Sequence, residues 1–160
     1  MRFLFDEMLK RTASWCRIFG LDVEFLSGKT DSELLDYAKT NKLVFVTRDV
    51  ELATRCRKRG VDVVFVANDD REEQIAQIIK ESGAELTFPE NTRCPDCNGM
   101  LVVVDGANVK DDVPEKVAER ETRFWRCVAC KKVYWEGGHW KNITRVHGKV
   151  KELLARMQAP

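Results

Sequence analysis

Four short apolar, β-favouring runs, RFLF at 2–5, VEFL at 23–26, LVFV at 43–46 and VDVVFV at 61–66, are each followed by a segment of helical pattern. This alternation constrains the fold more than any other feature of the chain. Strands separated by single helices cannot close as hairpins, so they align in parallel, and a parallel sheet needs helices over both faces. The first helix is expected from Met8 to Phe19, closing on Gly20, because glycine readily adopts the left-handed conformation that ends a helix. The others are expected from about Ser32 to Thr40, from about Val50 to Arg59 with Gly60 as the stop, and from about Arg71 to Ser82. Neither a Gly-x-Gly-x-x-Gly nor a Walker A pattern occurs, which argues against a nucleotide-phosphate loop.

After LTFPENTR the pattern changes. RCPDCNGMLVVVD is followed by a polar insert with a short helix expected from Pro114 to Glu121, then by TRFWRCVACKKVYW. A strand after the first cysteine pair and strands on both sides of the second describe a small β-ribbon, and the stretch from Gly137 onward reads as a loop and a basic helix. Two units are therefore expected, 1–90 and 91–160. The net charge of +1 hides an asymmetry: 14 basic and 17 acidic residues up to residue 90, against 13 basic and 9 acidic after it. A positive second part suits a polyanionic partner. Membrane association is not expected, since no apolar run approaches the roughly 18 residues of a span and MRFLFDEM meets an acid too early for a signal peptide. The expected location is cytoplasmic.

The acids cluster in position. Asp6 follows the first strand, Asp49 lies just beyond the third, Asp69 and Asp70 follow the fourth, and Asp31 and Glu33 begin the second helix. In an open parallel sheet all of these fall on the rim at the carboxyl ends of the strands, where ligands bind. Several carboxylates on one rim repel one another unless a divalent cation offsets them, and magnesium or manganese prefers such oxygen ligands. The same positions also suit helix capping. Thr30-Asp31-Ser32-Glu33 matches a capping box, and Asp49 and Asp69 or Asp70 can cap the helices that follow them. Asp6 has the poorest capping register. Thr47 either hydrogen-bonds a ligating carboxylate or packs as an ordinary strand residue.

Cys94, Cys97, Cys127 and Cys130 form two C-x-x-C pairs, each placing two thiolates across a tight turn, and two such turns complete a tetrahedral zinc shell. A closed four-sulfur shell organises the fold and leaves no open position for catalysis. Cys16 and Cys56 stand alone in helical segments and are expected in the core. Arg123, Arg126, Lys131, Lys132, Lys141, Arg145 and Lys149 alternate with Trp125, Tyr134, Trp135 and Trp140. Cations for phosphates and aromatic faces for bases suit single-stranded RNA, although Trp125 and Tyr134 also suit the ribbon's small core. The candidates for RNA contact are Lys10, Arg17, Arg48, His139, Trp140, Lys141 and Arg145. Lys10, Ser14 and Arg17 share one helical face, which either guides an RNA backbone or simply meets solvent.

MRFLFDEMLKRTASWCRIFGLDVEFL, TDSELLDYA and KLVFVTRDVEL, continued by RCPDCNGML and FWRCVACKKVYWEGGHW, resemble the PIN-like RNase domain named after the C-terminus of the Mut-seven exonuclease. The resemblance covers roughly residues 1 to 145 and implies a PIN-like α/β fold: a parallel sheet flanked by helices, then a small β zinc ribbon and a C-terminal helix. It implies a metal-dependent endoribonuclease, with Asp6, Asp31 and Asp49 holding the catalytic magnesium or manganese and Glu33 and Thr47 in support. Nucleases of this type leave a 5′-phosphate and a 3′-hydroxyl. Thr12, Ser14 and Cys16 depart from the family, which tends to carry Leu, Arg and Leu there. The competing expectation is a non-catalytic RNA-binding or assembly module whose acids serve as caps. The layout is also similar to that of the endonuclease that trims small-subunit ribosomal RNA, which implies a role in ribosomal RNA maturation.

Overall fold

The computed structural model describes residues 1–121 and 123–158. Strands β1 (Arg2–Phe5), β2 (Asp22–Phe25), β3 (Val44–Thr47) and β4 (Val63–Phe65) form one parallel sheet in the order β2-β1-β3-β4. They are connected by α1 (Lys10–Ile18), α2 (Asp31–Thr40) and α3 (Val50–Arg59), and α4 (Arg71–Ser82) follows β4. The first helical segment is divided: a 3-10 turn at Glu7–Leu9 precedes α1. Gly60 closes α3 at φ 72°, a conformation that costs a side-chain-bearing residue more than glycine.

Alternation along the strands decides which helices cover which face. Phe3, Phe5, Val46 and Val64 pack with Leu9, Ala13 and Cys16 on the α1 side and with Ile75, Ala76, Ile78 and Ile79 of α4. Leu4 and Phe45 point the other way, into Leu34, Leu35 and Ala38 of α2 and Leu52 and Cys56 of α3. Each fully buried Phe or Leu contributes roughly 1.5–3 kcal/mol relative to leaving it in water.

The second sheet is antiparallel, β5 (Leu101–Val104), β6 (Phe124–Cys127) and β7 (Val133–Trp135) in that order. The insert between β5 and β6 carries the short helix α5 (Glu115–Arg120), and Val109, Val113, Phe124 and Val133 make a small separate core. The last helix, α6 (His139–Gln158), leaves the ribbon and packs along α4. Val146 and Val150 are fully buried in the core cluster that α1 and α4 share with the sheet, and Lys80 Nζ donates to the Met157 carbonyl at 2.7 Å. No helix among the described residues is long and apolar enough to cross a membrane.

Candidate functional site

The order β2-β1-β3-β4 reverses direction between β1 and β3, because the chain steps outward to β2 and then back past β1. The crevice beyond the carboxyl ends of such a strand pair is where open α/β sheets bind ligands. Asp6 leaves β1 at that point, and its N–H donates to the Val46 carbonyl at 2.9 Å, prolonging the pairing with β3. Thr47, the last residue of β3, is 0% exposed. Its hydroxyl donates to Asp6 Oδ2 at 2.8 Å and accepts from the Asp49 N–H at 3.0 Å. One buried hydroxyl therefore links the Asp6 carboxylate to the backbone of Asp49. Asp6 also precedes the 3-10 turn and accepts from the adjacent Glu7 N–H at 2.8 Å, while α1 itself starts after Leu9 with no side-chain cap.

Asp49 caps α3 by accepting from the Leu52 N–H at 3.0 Å with Oδ1. Glu33 and Thr30 make a full capping box on α2, and that hydrogen bond from the Thr30 N–H holds the exposed Glu33 carboxyl below its usual range. Asp31, the first residue of α2, is exposed with a carboxylate 3.7 Å from the Arg55 guanidinium. Asp70 caps α4, while Asp69 pairs with Arg48. Among the described residues the three aspartates do not close into a group of candidate metal ligands. The donors at Asp6, Asp31 and Asp49 are nonetheless carboxylate oxygens, the chemistry that hard divalent cations select.

The four cysteines do form such a group, with Sγ atoms all within 4.8 Å of one another. The two pairs repeat one backbone pattern. Asn98 N donates to the Cys94 carbonyl at 2.8 Å and Cys94 N to the Gly99 carbonyl at 2.8 Å; Lys131 N donates to the Cys127 carbonyl at 3.0 Å and Cys127 N to the Lys132 carbonyl at 2.9 Å. Asn98 and Lys131 sit at matching left-handed φ values of 70° and 69°. Tetrahedral sulfurs around zinc at about 2.3 Å would lie about 3.8 Å apart, and Cys94–Cys130 and Cys97–Cys127 are at 3.8 and 3.4 Å. A Cβ at Gly99 would sit 2.5 Å from Cys127 Sγ, so only glycine fits beside the cluster. Burial would raise the Cys127 thiol, but the N–H groups of Cys130 and Ala129 and the Cys97 and Cys130 thiols outweigh it and lower it, while burial raises the Cys97 thiol, so of these two close sulfurs Cys127 gives up its proton first. The Tyr134 hydroxyl lies 3.0 Å from Cys94 Sγ; burial and that sulfur raise its pKa, so it stays a donor. This group can hold a structural metal such as zinc. Cys16, by contrast, is fully buried, and burial pushes its thiol up, as an inert core residue requires.

The helical face expected to meet RNA or solvent instead holds the ribbon. Arg17 is only 7% exposed; its Nε donates to the Val23 carbonyl at 2.8 Å and one terminal nitrogen to the Pro95 carbonyl at 2.9 Å. Ser14 Oγ also donates to the Pro95 carbonyl, at 3.2 Å. The guanidinium, with several donors in a rigid fork, satisfies carbonyls of β2 and of the first cysteine turn at once, so Arg17 is corrected from an RNA contact to a joint between the two sheets. Thr12 is buried and donates to Gln74 Oε1 at 2.6 Å. Asn98 completes the joint. Its amide donates to Asp22 Oδ1 at 2.7 Å and accepts from the Val23 N–H at 3.0 Å, covering the edge strand β2, and Arg93 lies 3.4 Å from Asp22. Sequence reasoning passed over Asn98 and Arg93; the one local signal was Asn-Gly directly after Cys97, which marks a left-handed turn.

Lys10 is exposed at the start of α1, and His139, Lys141 and Arg145 are exposed on the first turns of α6. Arg48 is half-buried beside Asp69. Trp140 stacks on Trp125 with ring centroids 6.1 Å apart and planes within 4°, and lies 5.4 Å from Phe88. A family model described as the Mut7-C RNAse domain matches residues 1–147 of the 160-residue chain. Comparison with curated proteins and with solved structures gives no match.

Proposed function

Because the chain belongs to the Mut7-C RNAse domain family, whose name points to nuclease chemistry on RNA, we propose that it is a divalent-metal-dependent endoribonuclease acting on single-stranded RNA. The observation that carries this reading is Asp6 at the strand switch, its carboxylate oriented by the buried Thr47 hydroxyl, which also accepts from the backbone N–H of Asp49. Strand packing alone does not require a buried hydroxyl aimed at an acid in the crevice.

In this reading Asp6 and Asp49 hold a magnesium or manganese ion, with Asp31 as the third acid. Such an ion, when bound, supplies a more acidic water and offsets charge on the phosphodiester. The protein's part is orientation. Thr47 takes one lone pair of Asp6 Oδ2 and thereby sets where the others point. The Leu52 N–H does the same for Asp49 Oδ1. The Thr30–Glu33 box fixes the first turn of α2 and with it Asp31. Arg48 and Lys10 supply positive charge near the rim for the RNA backbone, and the zinc ribbon with the basic first turns of α6 extends that surface.

A second reading, an RNA-binding or assembly module without catalysis, is favoured by the caps: Asp49 and Glu33 each complete a helix start, and Asp31 faces Arg55. Cleavage of labelled single-stranded RNA with magnesium or manganese separates the two. Asn caps about as well as Asp, so Asp49→Asn is expected to melt like wild type and bind RNA, yet to lose cleavage. Thr47→Val, which removes only the orienting hydroxyl, is expected to lose roughly 10–100-fold in rate. Equal cleavage by wild type and Asp49→Asn rejects the nuclease reading and leaves the binding module.

A further inference from the structure

A cavity of about 700 Å³ lies where the ribbon, the 88–95 segment and the start of α6 meet, and neither Asp6 nor Asp49 lines it. Its volume falls in the range of ligand sites, about 300–1,000 Å³. Its walls are aromatic: Phe88, Trp125, Tyr134, Trp135 and Trp140 all contribute, with His139 at the first residue of α6. The Trp125 and Trp140 planes are parallel within 4°, and the Arg123 guanidinium lies 5.6 Å from the Trp125 ring.

We propose that this cavity is a nucleobase pocket, which takes one unpaired base of an RNA strand and holds its phosphate at the start of α6. The proposal rests on the RNA reading above and adds a site separate from the acids. Three features select a nucleotide over a plain apolar group. Flat aromatic walls stack on the π-face that every base has. The N-terminus of a 20-residue helix leaves N–H groups for an anion, its first turn carries no acid, and Lys141 follows His139 and Trp140 there. Glu90, in the wall of the 88–95 segment, repels phosphate but accepts from a base N–H such as the N3–H of uracil, so the charges orient base inward and phosphate toward α6. An apolar peptide side chain would use the walls and leave both charged ends without a partner.

Gly138 provides the blocking variant. It lines the cavity, its φ lies outside the left-handed range, and a Cβ built there meets no atom within 4 Å, so Gly138→Leu adds a bulky side chain at the cavity wall without a clash at its Cβ. The probes are a labelled hexauridylate and a strand of equal length lacking bases, compared by fluorescence anisotropy at one salt concentration. Wild type is expected to bind the base-bearing strand about tenfold more tightly, within the range of one base stacked on aromatic rings. Gly138→Leu is expected to bring the two strands to one affinity, with thermal melting and zinc content unchanged. Equal affinity for the two strands in wild type overturns the proposal, as does discrimination that survives in Gly138→Leu. An apolar dye bound in the cavity is expected to be displaced by the hexauridylate; a dye that stays while the strand binds assigns the cavity to another occupant. RNA cleavage measured alongside keeps the two readings apart. Discrimination without cleavage sinks the nuclease and keeps the pocket, and cleavage without discrimination does the reverse.

Discussion

In β1 Phe3, Leu4 and Phe5 are all buried, because helices cover both faces of the parallel sheet; in β5 Val102 and Val103 stand in water, and Val103 is 71% exposed. The parallel sheet draws on two apolar clusters and five helices. The ribbon has one small cluster around Phe124 and a turn of cysteines at its end. Strands of similar β-favouring composition thus reach order by different routes. Where the apolar area is large, burial offsets chain entropy; where it is small, a metal such as zinc on the four cysteines would supply the difference.

That contrast can be broken most severely by removing the metal. Structural zinc in small domains contributes an apparent 10–16 kcal/mol or so, more than the ribbon's core can replace. Chelation, or Cys127→Ser, is expected to open amide exchange across β5, β6 and β7 while the parallel sheet keeps its protection with a lowered melting temperature. Ribbon amides that stay protected without metal would put the two sheets on the same footing. The next effect lies on the other side of the comparison. Val150→Ala shortens a fully buried side chain of α6, and urea unfolding is expected to show the parallel sheet destabilised by a sizeable part of the roughly 1.5–3 kcal/mol that burying a whole valine is worth. Unchanged stability would mean that α6 is dispensable to that core.

Asn98→Gly tests the joint between the regions. Glycine keeps the left-handed backbone and removes only the amide that bonds Asp22 and the Val23 N–H. A loss of about 1–3 kcal/mol is expected, read as faster amide exchange in β2; a change confined to the ribbon would show that the amide does not couple the two. Val103→Thr is the smallest change, within about 0.5 kcal/mol as for an ordinary surface substitution. A larger loss in thermal melts would mean that the exposed face of β5 is covered in solution.

Much of this was legible because it is local. Strand alternation, the Thr30–Glu33 box, the cap at Asp49 and the paired cysteine turns all depend on neighbours a few residues away. Arg17 was misplaced for the opposite reason. Its spacing from Lys10 and Ser14 describes a polar face, but its partners, the carbonyls of Val23 and Pro95, become neighbours only when the first cysteine turn docks on α1. Thr47 was ambiguous in the sequence because a β-branched residue ending a strand needs no further reason, and only the pairing of β1 with β3 brings its hydroxyl to Asp6. The 3-10 turn between Asp6 and α1 was not legible, since it starts without the usual α-helical register. The destination of α6 could not be read at all, since its apolar positions fit any groove of matching width.

The packing of α6 on α4 sets an order of events at the ribosome. A nascent chain exposes β1 to α4 first, yet Val146 and Val150, which complete the core shared with α1 and α4, are made only after the entire ribbon. At roughly 5–20 residues per second this leaves an interval of several seconds during which the apolar flank of α1 and α4 has no partner from its own chain. The cysteine turns are synthesised within that interval, and the stacking of Trp140 on Trp125 anchors the start of α6 to whatever the ribbon has become. A metal held by those turns would fix the ribbon before α6 docks on α4, and chains made without one are expected to leave that flank uncovered for longer.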